Sequence, residues 1–247
     1  MDKRQWRLRL GITLAVASAA LFVIHYLVFR DLHHLGIFTL HDIAFLPLEV
    51  LIVTLILHAL LEQRQHSELM QKLNMVIGAF FSEVGIDLLK QLAALDSDPG
   101  SLARRFDLDA SWDDKRLKQA SAEAASGTYK LSPTVDSIQA MHDFLCGKRQ
   151  FLLGLLENQS LLENERFTDA LWAVFHLGDE LGRRTDIDSL PESDVAHLAG
   201  DMERAYGRMI SEWFEHLRHL KVRYPYLYSL AVRSNPLDTG AVVEVRG

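Results

Sequence analysis

The sequence predicts an all-α protein in which a two-span transmembrane helical hairpin precedes a cytoplasmic helical bundle. Two apolar runs predict the spans: residues 10–29 carry no formal charge, and residues 43–61 carry only Glu49. At about 1.5 Å of rise per residue, each run can cross a hydrocarbon core of roughly 30 Å as a helix. The rest of the chain shows helical periodicity and no useful strand pattern before its last residues, which favours a bundle.

The second span is predicted to continue into the bundle as one long helix. Apolar residues recur at three- and four-residue steps between Leu69 and Leu88, and neither Gly nor Pro interrupts residues 62–71. Gly78 and Gly85 share a face of this helix, where they favour close packing. The turn residues that follow position 95 predict its end.

These patterns divide the chain into four predicted segments. They are the hairpin at 1–62 with an outer loop at 30–42, a cytoplasmic rod or oligomerisation helix at 63–95, a cytoplasmic α-helical bundle at 96–233 and a mobile tail at 234–247. Within the bundle we expect helices at about 101–106, 112–126, 133–158, 163–183 and 191–222, with a last turn or two reaching Arg233. Ser132 is the expected N-cap of the third, and a capping box at 189–192 opens the long one.

The basic N terminus raises the alternative of a signal peptide. The first apolar run is longer than a typical signal core, no small-residue cleavage site follows it, and a second span returns the chain, so a membrane span is the better interpretation. Four basic residues precede the first span, and only Arg30 lies in the loop between the spans. The positive-inside rule therefore predicts a multi-pass protein of the inner or plasma membrane with both termini cytoplasmic.

Composition excludes several classes of function. The net charge is −7, and residues 1–62 sum to zero, so the whole negative excess lies in the soluble part and argues against a nucleic-acid partner. Cys146 is the single cysteine, which rules out an intramolecular disulfide, and we expect it to pack in the bundle. No phosphate-binding glycine loop, Gly-x-Ser-x-Gly or kinase signature is present. We therefore predict no enzyme activity, no catalytic residues, no metal and no cofactor.

Glu49 is the strongest candidate functional residue, because a carboxylate at this membrane depth costs a few kcal/mol. Asp42 precedes it by seven residues, which places the two acids about 20° apart around a helix and roughly 10 Å apart along it. In an oligomer these acids would form two negative rings that attract cations. His25 at a similar depth offers the alternative of a structural His25–Glu49 hydrogen bond. His58 is expected to face a neighbouring helix, and Pro47 either kinks the second span or marks its true start.

The outer loop contains three histidines, His33, His34 and His41, beside Asp31 and Asp42. Imidazole and carboxylate groups together can bind Zn²⁺ or Cu²⁺, and histidines titrate between about pH 5 and 8. Metal binding or pH sensing is therefore one interpretation. A polar interfacial loop is the simpler one, since the spacing matches no defined metal motif.

Three His–acid pairs at helical spacing occur in the soluble part. They are His176 with Glu180, His197 with Asp201, and Glu212 with His216. Such pairs can build a di-metal bundle, but their predicted angles do not converge, so we interpret them as solvated pairs. Only Glu212, His216 and His219 form a compact local cluster.

The leading hypothesis is a homo-oligomeric membrane protein with a cation pathway along the second span and a cytoplasmic gating or assembly domain. Its expected partners are the lipid bilayer, further copies of the chain and inorganic cations. The alternative is a non-conducting tethered sensor or scaffold whose helical domain binds a cytoplasmic partner. A tethered metalloenzyme is a third interpretation.

Overall fold

The computed structural model describes residues 3–98, 102, 105–238, 240–241 and 243–244. The protein is all-helical, and its described part contains no strand beyond an isolated bridge between Asp96 and Leu131. In order, the elements are α1 Lys3–Phe29, α2 Leu32–Phe80, a π-helical turn Phe81–Gly85, α3 Ile86–Ala94, α4 Asp114–Ala125, α5 Val135–Leu156, a 3₁₀ turn Gln159–Glu163, α6 Glu165–Gly182, α7 Glu192–Arg223 and α8 Pro225–Arg233.

The chain forms two compact units, Met1–Gln65 and His66–Gly247. The first unit exposes large apolar side chains along both of its helices. The stretches Leu8–Phe29 and Leu32–Ala94 are long and apolar enough to cross a membrane, and no residue in the most apolar part of either stretch is buried. By length and composition alone, these stretches are candidates for membrane spans.

The predicted outer loop at 30–42 is wrong for most of its length. Only Arg30 and Asp31 separate α1 from α2, and Arg30 turns the chain with a positive φ of 51°. Asp31 Oδ1 accepts hydrogen bonds from the backbone N–H groups of His33 and His34, both at 3.0 Å, and so caps the start of α2. Polar residues suggested a loop, but the Asp31 cap begins the helix at Leu32, eleven residues before the apolar run. Pro47 consequently lies inside α2.

The predicted continuation of the second apolar helix agrees with the structure, since helical conformation extends to Ala94. A π-helical turn at Phe81–Gly85 interrupts the α-helical hydrogen bonding. Gly85 is required there, because a Cβ at this position would lie 2.5 Å from Cδ1 of Phe81. The turn lets consecutive rings, Phe80 and Phe81, both enter the core.

Helix α7 is the central element of the second unit. It packs against α3, α4, α6 and α8, while α5 packs on α6. Its apolar residues recur at three- and four-residue steps and form one side of the helix. This side is fully buried at Leu198, Met202, Met209 and Leu217. The core is rich in aromatic contacts, including Phe80 with Phe167 and Phe81 with Trp213. Helical bundles are stabilised chiefly by burying such faces.

Helix starts differ from prediction where other residues cap them. Thr134 is the N-cap of α5 and forms a capping box with Ser137, whereas Ser132 was expected. Pro191 is the N-cap of α7 without a side-chain cap, so the predicted capping box at 189–192 is wrong.

The predictions for the tail, for the short helix at 101–106 and for Cys146 have different outcomes. The predicted tail starts too early, since Asn235 and Leu237 are buried. The predicted short helix at 101–106 and the residues after Asp238 fall partly outside the described residues. Cys146 is a half-buried free thiol. Its sulfur packs close to Gly182, where an added Cβ would lie 3.3 Å from it.

Candidate ligand-binding cavity

A polar cavity of about 350 Å³ opens in the second unit between α2 and the C-terminal part of α7. Spacings of three and four residues place its lining groups on one face of each helix. The lining groups are Met70, Asn74 and Ile77 of α2, Asp114 at the start of α4, Asn164 and Arg166 at the start of α6, and seven residues of α7 between Glu212 and Arg223. Two adjoining cavities share Asn74 and His219 with it and extend it as a groove to Tyr224.

Glu212 is the most deeply buried carboxylate in the wall of this cavity. Its residue surface is 3% exposed, and its Oε1 lies 3.3 Å from Nε of Arg166. Burial raises the pKa of Glu212 to about 7, and the nearby guanidinium of Arg166 only partly offsets this effect. The carboxyl group therefore changes its protonation state near neutral pH, which is uncommon for glutamate.

Arg166 reaches from the first turn of α6 across two other helices. Asn164 caps α6 by accepting a hydrogen bond from the backbone of Phe167, which positions the first turn. The Nη2 group of Arg166 donates to the hydroxyls of Ser121 and Ser211, both at 2.8 Å. These contacts fix the guanidinium group beside Glu212, since they join α4, α6 and α7 at one point.

His216 lies one helical turn after Glu212 and is 8% exposed. Its Nδ1 is buried without a hydrogen-bond partner, and its ring stacks on Phe81 with centroids 5.1 Å apart. Burial lowers the pKa of His216 to about 4, so the ring is neutral at physiological pH. An unpaired buried nitrogen is costly, and one that lines a cavity can be satisfied by a bound molecule or water.

Ion pairs close the rim of the cavity next to α4. Arg218 contacts both oxygens of Asp114, at 2.9 and 3.1 Å, and Oε2 of Glu215 at 2.6 Å. Glu215 also faces Arg166, at 3.5 Å. These side chains therefore form a row of alternating charges that ends at the buried Glu212. A ligand at this end can donate a hydrogen bond to the carboxylate or accept one from the neighbouring donors.

The interpretation of the His–acid pairs as solvated is wrong for two of the three. Glu212 and His216 are buried, and the predicted cluster with His219 lines the cavity as one group. Asp201 is 3% exposed, and its Oδ2 lies 3.5 Å from Nε2 of both His176 and His197. A pattern on one helix could not show that His176 of α6 reaches an acid of α7. Among the described residues, no group of three or more His, Cys, Asp or Glu is arranged to hold a metal ion.

The candidate residues of the first unit lie on its two apolar helices. Asp42, Glu49 and His58 are exposed on α2, and Glu49 has no ion-pair partner within the described part of the chain. His25 is half-buried on α1, where its ring contacts Phe29 and its Nε2 has no hydrogen-bond partner. The structure therefore shows no bond from this nitrogen of His25 to Glu49.

The outer-loop histidines are helical residues of α2. His34 and His41 contact the rings of Phe38 and Phe45 one turn further on. His33 and His34 donate backbone hydrogen bonds to Asp31, so this acid serves as a helix cap.

Fold and cavity together define an all-helical protein with an apolar N-terminal unit and a C-terminal bundle that carries an open cavity with polar side chains in its wall. Two family models match the chain: "MJ1433, N-terminal helical domain" over residues 2–61 and "Uncharacterized protein MJ1433, C-terminal helical domain" over residues 69–233. The chain is 37% identical over 243 residues to the uncharacterized protein MJ1433 of Methanocaldococcus jannaschii, covering 98% of both chains. The chain therefore belongs to the MJ1433 family. No solved structure matches it.

Proposed function

We propose that this protein is a membrane-anchored binding protein whose cytoplasmic helical domain takes up a small polar ligand in the cavity beside Glu212. The observation that carries the proposal is the pairing of two buried polar groups, Glu212 and the unpartnered Nδ1 of His216, in the wall of a cavity of about 350 Å³. Ligand pockets typically combine a concave site of this size with a few convergent polar groups and perturbed pKa values.

Membrane anchoring is supported by the exposed apolar surface of the first unit. Leu21, Leu40 and Leu55 are each at least 60% exposed, and many similar side chains surround them. Soluble monomers rarely expose contiguous apolar patches of this extent, because contact of apolar surface with water is unfavourable. Two helices of suitable length, the basic N terminus and the positive-inside rule favour two spans with both termini cytoplasmic.

A thermal-shift experiment on the full chain in detergent tests ligand binding. The probes are ethanolamine, acetate, inorganic phosphate and glycerol, which represent cationic, anionic and neutral polar chemistry, each at pH 6 and pH 8. A probe at ten times its Kd stabilises the folded protein by about 1.4 kcal/mol, or roughly 3–5 °C in Tm. We expect at least one class to raise Tm, and His216→Phe to abolish the shift by removing the unpartnered Nδ1.

His176→Phe is the matched control, since His176 does not line the cavity and should leave the shift intact. If none of the probes raises Tm at either pH, or if His216→Phe responds as the wild type does, small-ligand binding at this cavity is refuted. Protease mapping of the reconstituted protein tests the anchor separately, because the Arg30–Asp31 turn should lie on the opposite side from the C terminus.

A second candidate function is a cation pathway along α2 in a homo-oligomer, and the exposure of Glu49 among apolar side chains favours it. A lone carboxylate facing lipid is costly, so further copies of α2 would be expected to cover it. With Asp42 and Glu49 facing inward, several copies would present two negative rings to cations. Measurements of cation flux into liposomes test this pathway. Glu49→Gln should abolish the flux or change its ion selectivity. Absence of flux in the wild type would contradict the pathway and leave the membrane-anchored binding protein as the proposed function.

A further inference from the structure

The end of α7 and helix α8 together form an exposed surface that combines apolar, aromatic and basic side chains. We call the surface of Val222, Arg223, Tyr226, Leu227 and Leu230 the α7–α8 corner. Val222 and Tyr226 are 72% and 71% exposed, and Leu227 and Leu230 are also exposed. Tyr228 and Ala231 of α8 are buried instead, so α8 is fixed to the bundle by one face and leaves the other face uncovered.

The charge around this surface is opposite in sign to that of the whole protein. Residues 216–237 contain four Lys or Arg and no Asp or Glu, in a chain whose net charge is −7. Arg218 is neutralised by Asp114 and Glu215. Lys221 donates to main-chain oxygens and lies over the ring of Tyr228, and the carboxylate of Asp109 offsets part of its charge. Arg223 is exposed and has no carboxylate partner among the described side chains.

The length of the chain limits how far this surface can lie from a bilayer. Arg223 of the corner lines a cavity together with Ser67. Ser67 follows Leu61, the last residue of the second apolar run, by six residues, and six residues span roughly 20 Å at most. This limit depends on the proposed anchoring of α1 and α2 in a membrane. Given that anchor, Ser67 and its neighbours stay within reach of the headgroup region.

We propose that the α7–α8 corner contacts the surface of a membrane that contains anionic lipids. Tyrosine is enriched at membrane interfaces, because its ring is apolar and its hydroxyl remains hydrated. Exposed leucine and valine side chains enter the boundary between headgroups and acyl chains, and nearby Lys and Arg attract anionic headgroups. A protein partner would have to match the same mixture, whereas lipid fits it without a specific shape.

Site-specific fluorescence of the full chain in liposomes tests this proposal. In a Cys146→Ser background, Ser229→Cys places an environment-sensitive dye on α8 and leaves the corner side chains intact. We expect headgroup-labelled quencher lipids to quench this dye strongly in vesicles with about 30% phosphatidylglycerol, less in zwitterionic vesicles, and less again at high salt. In the same labelled chain, Arg223→Glu should weaken the contact about fivefold or more.

Two further dye positions separate the possible failures. Val53→Cys reports on the apolar part of α2, and Asp188→Cys lies in the turn before α7, at the other end of that helix. Quenching at position 53 with equally weak quenching at 229 and 188 overturns the lipid contact and leaves the membrane anchor in place. Lack of quenching at position 53 by acyl-chain quenchers overturns the anchor itself. Dye self-quenching at 229 that rises with the protein-to-lipid ratio would instead identify an interface between copies and would also overturn the proposal.

Discussion

Replacement of Glu212 by glutamine should change how the stability of the protein depends on pH. Burial raises the pKa of Glu212 from 4.5 to about 7 in the folded state. A raised pKa means that the folded state holds its proton more tightly than the unfolded state. Stability from this group is therefore complete below about pH 4.5 and is lost as pH rises to about 7. At about 1.4 kcal/mol per pH unit, the loss is about 3 kcal/mol.

His216 acts in the opposite direction. Burial lowers its pKa from 6.5 to about 4, so the folded state binds its proton less tightly than the unfolded state. Its contribution is complete above about pH 6.5 and is lost as pH falls towards 4, again by about 3 kcal/mol. Between about pH 4.5 and 6.5 the two slopes nearly cancel. The wild type should therefore show a plateau of stability in this range, with a decline on each side.

Glu212→Gln should remove the contribution of Glu212 to the pH dependence of stability and leave that of His216. At pH 8 the variant lacks the buried carboxylate, so its free energy of unfolding should exceed that of the wild type by about 3 kcal/mol, or roughly 6–10 °C in Tm. At pH 4.5 the two proteins should unfold at nearly the same temperature. The plateau should become a steady decline on acidification, which thermal unfolding monitored by tryptophan fluorescence in one detergent would measure.

Glu157→Gln is the control, because Glu157 is exposed after the end of α5 and should leave the profile unchanged. Two outcomes would contradict a raised pKa of Glu212 as the source of this slope: Glu212→Gln keeps the plateau of the wild type, or it lowers Tm at pH 8. The second result would mean that the pair with Arg166 stabilises the fold by more than burial of the carboxylate costs.

Three further substitutions test the packing of the second unit. Gly207→Ala should lower the free energy of unfolding by about 1–3 kcal/mol, because the new Cβ would lie 2.9 Å from the ring of Tyr129. Gly147→Ala meets open space in α5 and should raise the free energy of unfolding by about 0.5–1 kcal/mol. Thermal unfolding of the two variants and the wild type measures both effects. Asp201→Asn should lower Tm by an amount equivalent to about 1–3 kcal/mol, since it weakens the contact of a buried carboxylate with the half-exposed Arg204 at 2.8 Å. An unchanged Tm would show that this contact does not stabilise the fold.

The sequence predicted the helices well where the pattern is local. The first unit shows continuous apolar runs, and the apolar residues of α7 recur three and four residues apart, so the sequence displays both patterns directly. Helix starts were less predictable, because capping depends on single residues that compete. Asp31 caps α2 far upstream of its apolar run, and Thr134 replaces Ser132 at α5.

The cavity was only partly predictable, because its groups come from distant segments. Glu212, His216 and His219 share one face of α7, so the sequence could bring them together. Arg166 could not be added, since it reaches the group only through the packing of α6 on α7 and its bonds to two serines. The burial of Glu212 was equally hidden, because it depends on how other helices pack on α7.

The direction of the pKa changes separates Glu212 from the structural ion pairs of the same domain. Asp194 forms two close hydrogen bonds with Arg184, and these bonds lower its pKa, as expected for a pair that stabilises the fold. Glu212 also has an arginine neighbour, yet burial dominates and raises its pKa. A glutamine or leucine would avoid this cost in a purely structural role. A carboxyl group kept at such a cost beside an unpaired imidazole nitrogen is typical of a site that binds a further molecule.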